Sequence, residues 1–213
     1  MFLFQFTDIL QKDTCMDLTD RLMREKIEEI KNYAEQVLKQ PRFEHSVRTA
    51  ETCMALCRRF GLDDGKGYLA GIGHDICKQE SDIVIVSLSM SDGFPVSEVE
   101  RKKPALLHGS AAATVLKNYF NITDEEILEA VRNHTFGKAG MCDLAKVLFI
   151  ADKIEPGREH VTESYLQKFD NMTLDEMTYC ILKENIEYVT SKGKLVSQTS
   201  LDFLRSLEQE KVK

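Results

Sequence analysis

The residues able to do chemistry are few, and two of them are adjacent. His74 and Asp75 stand in the run Gly71-Ile72-Gly73-His74-Asp75-Ile76-Cys77-Lys78, with Leu69 and Ala70 before it. An ionised carboxylate among apolar neighbours is costly unless a cation compensates it. A metal ion is the simplest such cation, because neutral imidazole nitrogen and carboxylate oxygen both suit zinc, iron or manganese. Alone the pair decides nothing, since a hydrogen-bonded core pair or a surface pair contains the same two residues. Other side chains must supply the missing ligands. Asp152 follows Val147-Leu148-Phe149-Ile150-Ala151, the most apolar run of the chain. A carboxylate there is either buried and paired, with Lys153 or Arg158 as partner, or at the edge of a cleft. With His45, His108 and His134, the ordered set offers six potential ligands from five expected helices. Two metals could share them. Asp75 would bridge, His45, His74 and Asp152 would complete one sphere, and His108 and His134 would lie at the other. Both metals would keep positions open for water, as catalytic sites require.

The elements that must position these residues have helical period almost throughout. Apolar residues at Met23, Ile27, Ile30, Ala34, Val37 and Leu38 predict a first helix, with Thr19 or Asp20 as cap and Pro41 barring continuation. A second runs from about Phe43 to Phe60 and ends at Gly61. Its stripe is Phe43, Val47, Ala50, Met54 and Cys57. His45 lies nearly opposite, where a solvated histidine is the plain reading until partners appear. A third helix carries Tyr68 through Cys77. Ile83-Val84-Ile85-Val86 is β-branched, but no second strand exists to pair with it, so a short helix is expected over Ser81–Met90. Asp92-Gly93-Phe94-Pro95 reads as a turn, and the charged stretch to Pro104 as a mobile surface connection. Helices follow from Leu106 to Tyr119 and from Thr123 to about His134, the latter opened by a capping box of Thr123 and Glu126. Further helices span about Cys142–Lys153, Glu163–Phe169 and Leu174–Ser191, and a tail helix starts at Thr199. The reading is all-α, a helical bundle with the metal site between helices. Its parts are an N-terminal extension over 1–19, one domain over 20–192 and a tail helix over 193–213 that packs on the domain.

Composition narrows the function. The chain has 213 residues, is 43% hydrophobic and 30% charged, and carries a net charge of −7 without a basic block. Nucleic acid is therefore not an expected partner, whereas a compact polyanion such as a nucleotide is compatible with metal and a few placed cations. The six cysteines include no CxxC pair and read as free thiols in a reducing cytoplasm. The opening MFLFQFTDIL lacks the features of a signal peptide and is too short to span a bilayer. No transmembrane segment is expected.

On these residues the sequence resembles a known family. His45, His74-Asp75 and Asp152 match the H…HD…D signature of the HD-domain metal-dependent phosphohydrolases, and His108 and His134 match the subset with two metals. The segments R-F-E-H-S-V-R (42–48), G-H-D-I-C-K (73–78), P-A-L-L-H-G (104–109), V-R-N-H-T-F-G (131–137) and A-D-K-I-E-P-G-R (151–158) look like the bacterial YqeK-type HD proteins. These are symmetrical bis(5′-nucleosyl)-tetraphosphatases, which cleave diadenosine tetraphosphate to two ADP. The similarity covers about residues 25 to 195.

The resemblance implies metal ligands at His45, His74, Asp75, His108, His134 and Asp152, with iron favoured and manganese the alternative. It puts Lys78 and Arg158 in phosphate-binding places, with Asp75, Lys78 and Arg158 as the catalytic set. Arg132, Thr135 and Arg48 are weaker candidates for nucleotide contact. For Lys78 the plainer reading is a helix-terminal lysine favoured by the dipole. For Arg158 it is a pair with Glu155 or Glu159. The implied chemistry is attack by a metal-activated hydroxide on a phosphorus beside the central bridging oxygen. The cysteines, Cys77 included, are spectators. The alternatives are another HD-type nucleotide phosphohydrolase or phosphodiesterase, and a nucleotide-binding sensor with little turnover. A di-iron oxygenase is more remote. A homodimer is expected from the resemblance and the apolar extension. The sequence departs from the family at Phe136, where a small residue is usual, at Lys138-Ala139-Gly140, and at Ser197-Gln198.

Overall fold

The computed structural model describes residues 18–210, so most of the 1–19 extension lies outside the described residues. The described residues form only helices: α1 (Leu18–Val37), α2 (Gln40–Phe60), α3 (Asp64–Gly73), α4 (Asp82–Ser91), α5 (Glu98–Lys102), α6 (His108–Asn118), α7 (Glu125–Asn133), α8 (Asp143–Ile154), α9 (Glu163–Gln167), α10 (Leu174–Ser191) and α11 (Gln198–Glu210), with a 3-10 turn at Pro104–Leu107. No helix among the described residues is long and apolar enough to cross a membrane.

The centre of the bundle is the packing of α3 on α2, with α8 against both. Glycine allows the close approach. A Cβ on Gly71 would lie 2.8 Å from Ala50 N and closer still to its Cα, and one on Gly67 would lie 3.2 Å from Cys53 O. Backbone therefore meets backbone between α2 and α3, which brings the N-terminal turn of α2 beside the C-terminal end of α3. Leu148, Phe149 and Ile150 of α8 are fully buried. At the far end, α11 packs on α10, Phe203 and Leu207 are buried, and Ser200 Oγ donates to Phe136 O at 2.8 Å.

Several boundaries differ from the sequence expectation, each for a local reason. Pro41 does not precede α2; it sits in its first turn, where the missing N–H costs nothing. The helix expected through Cys77 stops at Gly73, and residues 74–79 form successive turns. There His74 Nδ1 occupies the Gly71 carbonyl at 2.6 Å, the acceptor a continuing helix would offer to Asp75 N. Helix α7 is capped by Asp124, not Thr123. The Asp124 carboxylate accepts from Glu126 N at 3.0 Å and Ile127 N at 3.4 Å, and Glu126 turns outward to Lys66 instead of closing a capping box. The stretch before Pro104 is not a bare connection. It contains α5, opened by a capping box of Ser97 and Glu100. As expected, Ile83–Val86 are helical. Thr19 and Asp20 lie inside α1 rather than before it.

Candidate metal centre and substrate cavity

His45, expected opposite the apolar stripe, is 5% exposed. Helix α2 is covered on a second face, along His45, Ser46 and Thr49, as well as on the face of Phe43 and Ala50. His45 there meets α8 and the end of α3.

The six candidate ligands converge. Asp75 is at the middle, with one carboxylate oxygen directed to each side. Its Oδ2 lies 3.5 Å from His74 Nε2 and 3.9 Å from His45 Nε2; its Oδ1 lies 3.1 Å from His108 Nε2 and 3.7 Å from His134 Nε2. Asp152 Oδ1 closes the first side, 3.1 Å from His45 Nε2 and 3.8 Å from His74 Nε2. Neighbouring rings stand edge to face, with centroids 5.3 Å apart for His45–His74, 4.9 Å for His74–His134 and 4.8 Å for His108–His134.

The other ring nitrogens determine the tautomers. His74 Nδ1 faces Gly71 O at 2.6 Å, His108 Nδ1 faces Ala105 O at 2.8 Å, and His134 Nδ1 faces Val131 O at 2.7 Å. A carbonyl only accepts, so each Nδ1 donates. His45 Nδ1 donates to the Glu155 carboxylate at 3.1 Å. In the neutral rings every Nε2 is therefore a lone pair aimed inward. The centre is a knot of acceptors: His108 Nε2 and His134 Nε2 face each other at 2.9 Å. His45 Nε2, His74 Nε2 and Asp75 Oδ1 are buried with no hydrogen-bond partner. Converging lone pairs at this spacing fit bound cations, and His-carboxylate donor sets of this kind bind divalent transition metals. Two overlapping triads, His45/His74/Asp152 and His74/Asp75/His134, each have ligand atoms within 4.8 Å of one another.

The protonation equilibria express the same crowding. Burial pushes the Asp75 carboxyl up, but His74 and His108 outweigh it and hold it well below the usual range. Asp152 is held down in the same way by Lys153 and His45 against its burial. Burial drives His134 well below an ordinary histidine, and its neighbours His108 and His74 add to the effect. For His74 burial disfavours the imidazolium, yet Asp75 raises it overall; a cation at Nε2 would take the place of that proton.

A cavity of ≈ 800 Å³ opens from the ligands. Lys78 and Arg158, both expected, line it beside Asp75 and Asp152. Lys78 Nζ lies 3.0 Å from His108 Nε2 and 3.9 Å from Asp75 Oδ1. Arg158 Nη2 binds Asp152 twice, through Oδ1 at 2.8 Å and the carbonyl at 2.6 Å, and its Nε lies 3.6 Å from Glu155. Thr135 also lines the cavity. Arg132 and Arg48 do not. Arg132 is bound by both oxygens of Asp92, at 2.6 and 2.8 Å, and Arg48 by Glu155 at 2.6 Å.

Sequence reasoning passed over four residues. Arg42 lines the cavity and reaches Asp75 Oδ2 at 3.0 Å; its signal is the three-residue step to His45, which puts both on one helix face. Lys153 also lines the cavity, and its Nζ donates to His134 O at 3.1 Å and sits 3.8 Å from the Phe149 ring centre. His160, exposed, lies at the outer wall against Tyr165. Glu155, buried, collects His45, Arg48 and Gly157 N; only the Ile-Glu-Pro-Gly-Arg turn hinted at it. The described cysteines stay out of the chemistry. Burial pushes Cys77 and Cys57 up to about 12, so both are thiols rather than thiolates at neutral pH.

An all-helical bundle with a His/Asp centre between α2, α3, α6, α7 and α8 defines a class. The HD domain family model matches residues 42–157, and the chain belongs to that family. A symmetrical bis(5′-nucleosyl)-tetraphosphatase of Staphylococcus aureus is 32% identical over 180 residues, covering 84% of this chain and 92% of the relative. One of Bacillus subtilis is 29% identical, covering 76% and 86%. A crystal structure of a predicted HD superfamily hydrolase involved in NAD metabolism, from Clostridium acetobutylicum, superposes with a TM-score of 0.79 at 28% identity, covering 86% of this chain and 97% of that one.

Proposed function

We propose that the chain is a metal-dependent symmetrical bis(5′-nucleosyl)-tetraphosphatase that hydrolyses diadenosine tetraphosphate to two ADP. The observation that carries this is the meeting of two opposite surfaces in one cavity: a knot of inward lone pairs, and beside it the four cations Arg42, Lys78, Lys153 and Arg158. A polyphosphate needs both, metal at the reacting phosphorus and fixed cations along the rest of its charge. His45, His74, Asp75, His108, His134 and Asp152 would hold two metals, iron by preference and manganese as the alternative. When bound, such metals polarise phosphoryl oxygens and lower the pKa of a coordinated water.

The chain's own groups then do the following. Asp75, with one carboxylate oxygen directed to each side, would neutralise part of the charge of bound metal. Lys78 and Arg158 take the charge of the phosphates flanking the scissile bond, and Thr135 offers a hydroxyl next to His134. Water oxygen bonds to one of the two central phosphorus atoms, and that phosphorus loses the oxygen it shares with its twin. The oxygen leaves as part of the second ADP, and the water protons pass to solvent. The proposal includes a hydrolase domain over 20–192, a tail over 193–213 in which α11 spans Gln198–Glu210, a cytoplasmic location and a homodimer.

Product analysis tests it. The protein is incubated with diadenosine tetraphosphate and iron or manganese, with and without chelator. ADP should be the sole product, lost with chelator and lost in Asp75→Ala. ATP with AMP would move the scissile bond. Chelator-resistant turnover would remove the metal mechanism. Hydrolysis of mononucleotides or cyclic nucleotides alone would point to a different HD activity.

A further inference from the structure

The substrate cavity has a neighbour. A second cavity of ≈ 560 Å³ lies beyond Leu106, Thr135 and Phe136, which line both spaces. Its volume is within the range of small-ligand sites, and none of the six candidate metal ligands lines it. Thr135 on the shared rim directly follows His134, with Oγ1 3.4 Å from His134 Nε2. The two spaces therefore adjoin at Thr135, beside the metal centre.

Four carboxylates, Glu100, Glu125, Glu126 and Glu129, and two cations, Arg132 and Lys138, line that space, and each cation faces a carboxylate, so it suits a base better than a phosphate. Arg132 is held in a fork by Asp92, at 2.6 and 2.8 Å. Glu126 receives Lys66 at 2.7 Å, and Glu129 receives Cys142 N at 3.0 Å. The lining also holds the rings of Phe94 and Phe136. The Arg132 guanidinium, kept in place by Asp92, lies 4.1 Å from the Phe94 ring centre. Phe94 lines the cavity and is still 50% exposed, so a ring backed by a guanidinium presents its remaining surface. Such a platform stacks a nucleobase without regard to its identity. Phe136, one of the positions at which the sequence departs from the family it resembles, stands at the rim of both cavities.

We propose that the second cavity receives the second nucleoside of the dinucleoside polyphosphate, its base stacked on Phe94, while the first nucleoside occupies the metal-lined cavity. This rests on the hydrolase reading and gives that reading a reason for taking a substrate with a nucleoside at each end.

The test uses two variants of the full chain loaded with metal. Phe94→Ala, at a half-exposed position, should raise KM for diadenosine tetraphosphate about tenfold and KM for adenosine 5′-tetraphosphate less than twofold. Equal changes for the two substrates would overturn the proposal. The chain has no tryptophan, so Phe94→Trp introduces a single indole. An analogue of diadenosine tetraphosphate with a methylene at the central bridge should quench its emission, and adenosine 5′-tetraphosphate should not. Unchanged emission at an analogue concentration that fully inhibits would also overturn it. Failure of the hydrolase reading looks different: wild-type protein would then make no ADP. The indole titration would still report whether the second cavity binds the analogue.

Discussion

The metal end of the cavity and the wall formed by α7 share close packing but differ in how much surface charge is added to it. At the metal end, α2 and α3 meet at backbone distance over Gly71 and Ala50, and three of the four inward imidazoles hang from main-chain carbonyls. Nothing in that arrangement depends on a surface charge. The wall has packing of its own, with Ile127, Leu128, Ala130 and Val131 buried and α6 at backbone distance over Gly109, and it adds charge. Asp124 caps α7 and pairs with Lys66 at 2.7 Å, and Asp92 holds Arg132 further along. Ligand geometry thus rests on packing without a surface ion pair, while the wall carries at its N-terminal end a part-exposed pair, Asp124 with Lys66, on which salt and acid act.

The largest effect should come from removing the backbone contact. Gly71→Ala places a methyl against Ala50, and overpacking of this kind costs about 3 kcal/mol. A protein of this size should lose roughly 10 °C in its thermal midpoint. A variant that melts with the wild type would show that α2 and α3 do not touch there, and the first half of the comparison would fail.

The next prediction sharpens the metal end. His45 alone among the inward imidazoles hangs from a side chain, Glu155. Glu155→Gln keeps the shape and removes the charge that orients the ring. Metal affinity, read by competition with a chromogenic chelator, should fall about 10- to 100-fold with the helical circular dichroism unchanged. Affinity equal to wild type would reduce Glu155 to a partner of Arg48.

The smallest effect belongs to the wall. Asp124→Ala should cost about 1 kcal/mol at neutral pH, the usual worth of an N-cap. Burial works against the Asp124 carboxylate, but Lys66 and the amides of Ile127 and Glu126 hold its pKa below the ordinary value. A lowered folded pKa means that the stabilisation is present above the unfolded value and is lost as pH falls through the folded one. Melting curves of wild type and variant should therefore stay apart down to about pH 4, the ordinary carboxylate range, and converge only as pH falls further, through the lowered folded value. A gap that persists in acid would assign the cap to packing and erase the contrast between the two regions.

Helix by helix, most of the fold was legible, because long segments with an uninterrupted 3.6-residue period have one solution. Leu174–Ser191 matches the expected bounds. The failures were local competitions for a single carbonyl or amide. His74 ends α3 early by taking Gly71 O, and Asp124 displaces Thr123 because an ionised carboxylate both accepts amides and binds Lys66. His45 was misleading by periodicity, since one stripe cannot reveal that a helix is covered on two faces.

The sequence by itself determined the donor types and their order: four imidazoles and two carboxylates on segments that had to be helical, with the family resemblance riding on the same residues. The resemblance put Lys78 and Arg158 at the phosphates; tertiary structure alone decided which other cations face the cavity. Lys78, Arg158, Arg42 and Lys153 line it, whereas Arg132 and Arg48 are bound by Asp92 and Glu155. The physical reason is the place of the carboxylate each one reaches: Arg42 and Arg158 pair with Asp75 and Asp152, which line the cavity, and Arg132 and Arg48 with Asp92 and Glu155, which do not. Carboxylates far apart in the chain become neighbours only when the helices pack, as residues 40 and 107 positions apart do here.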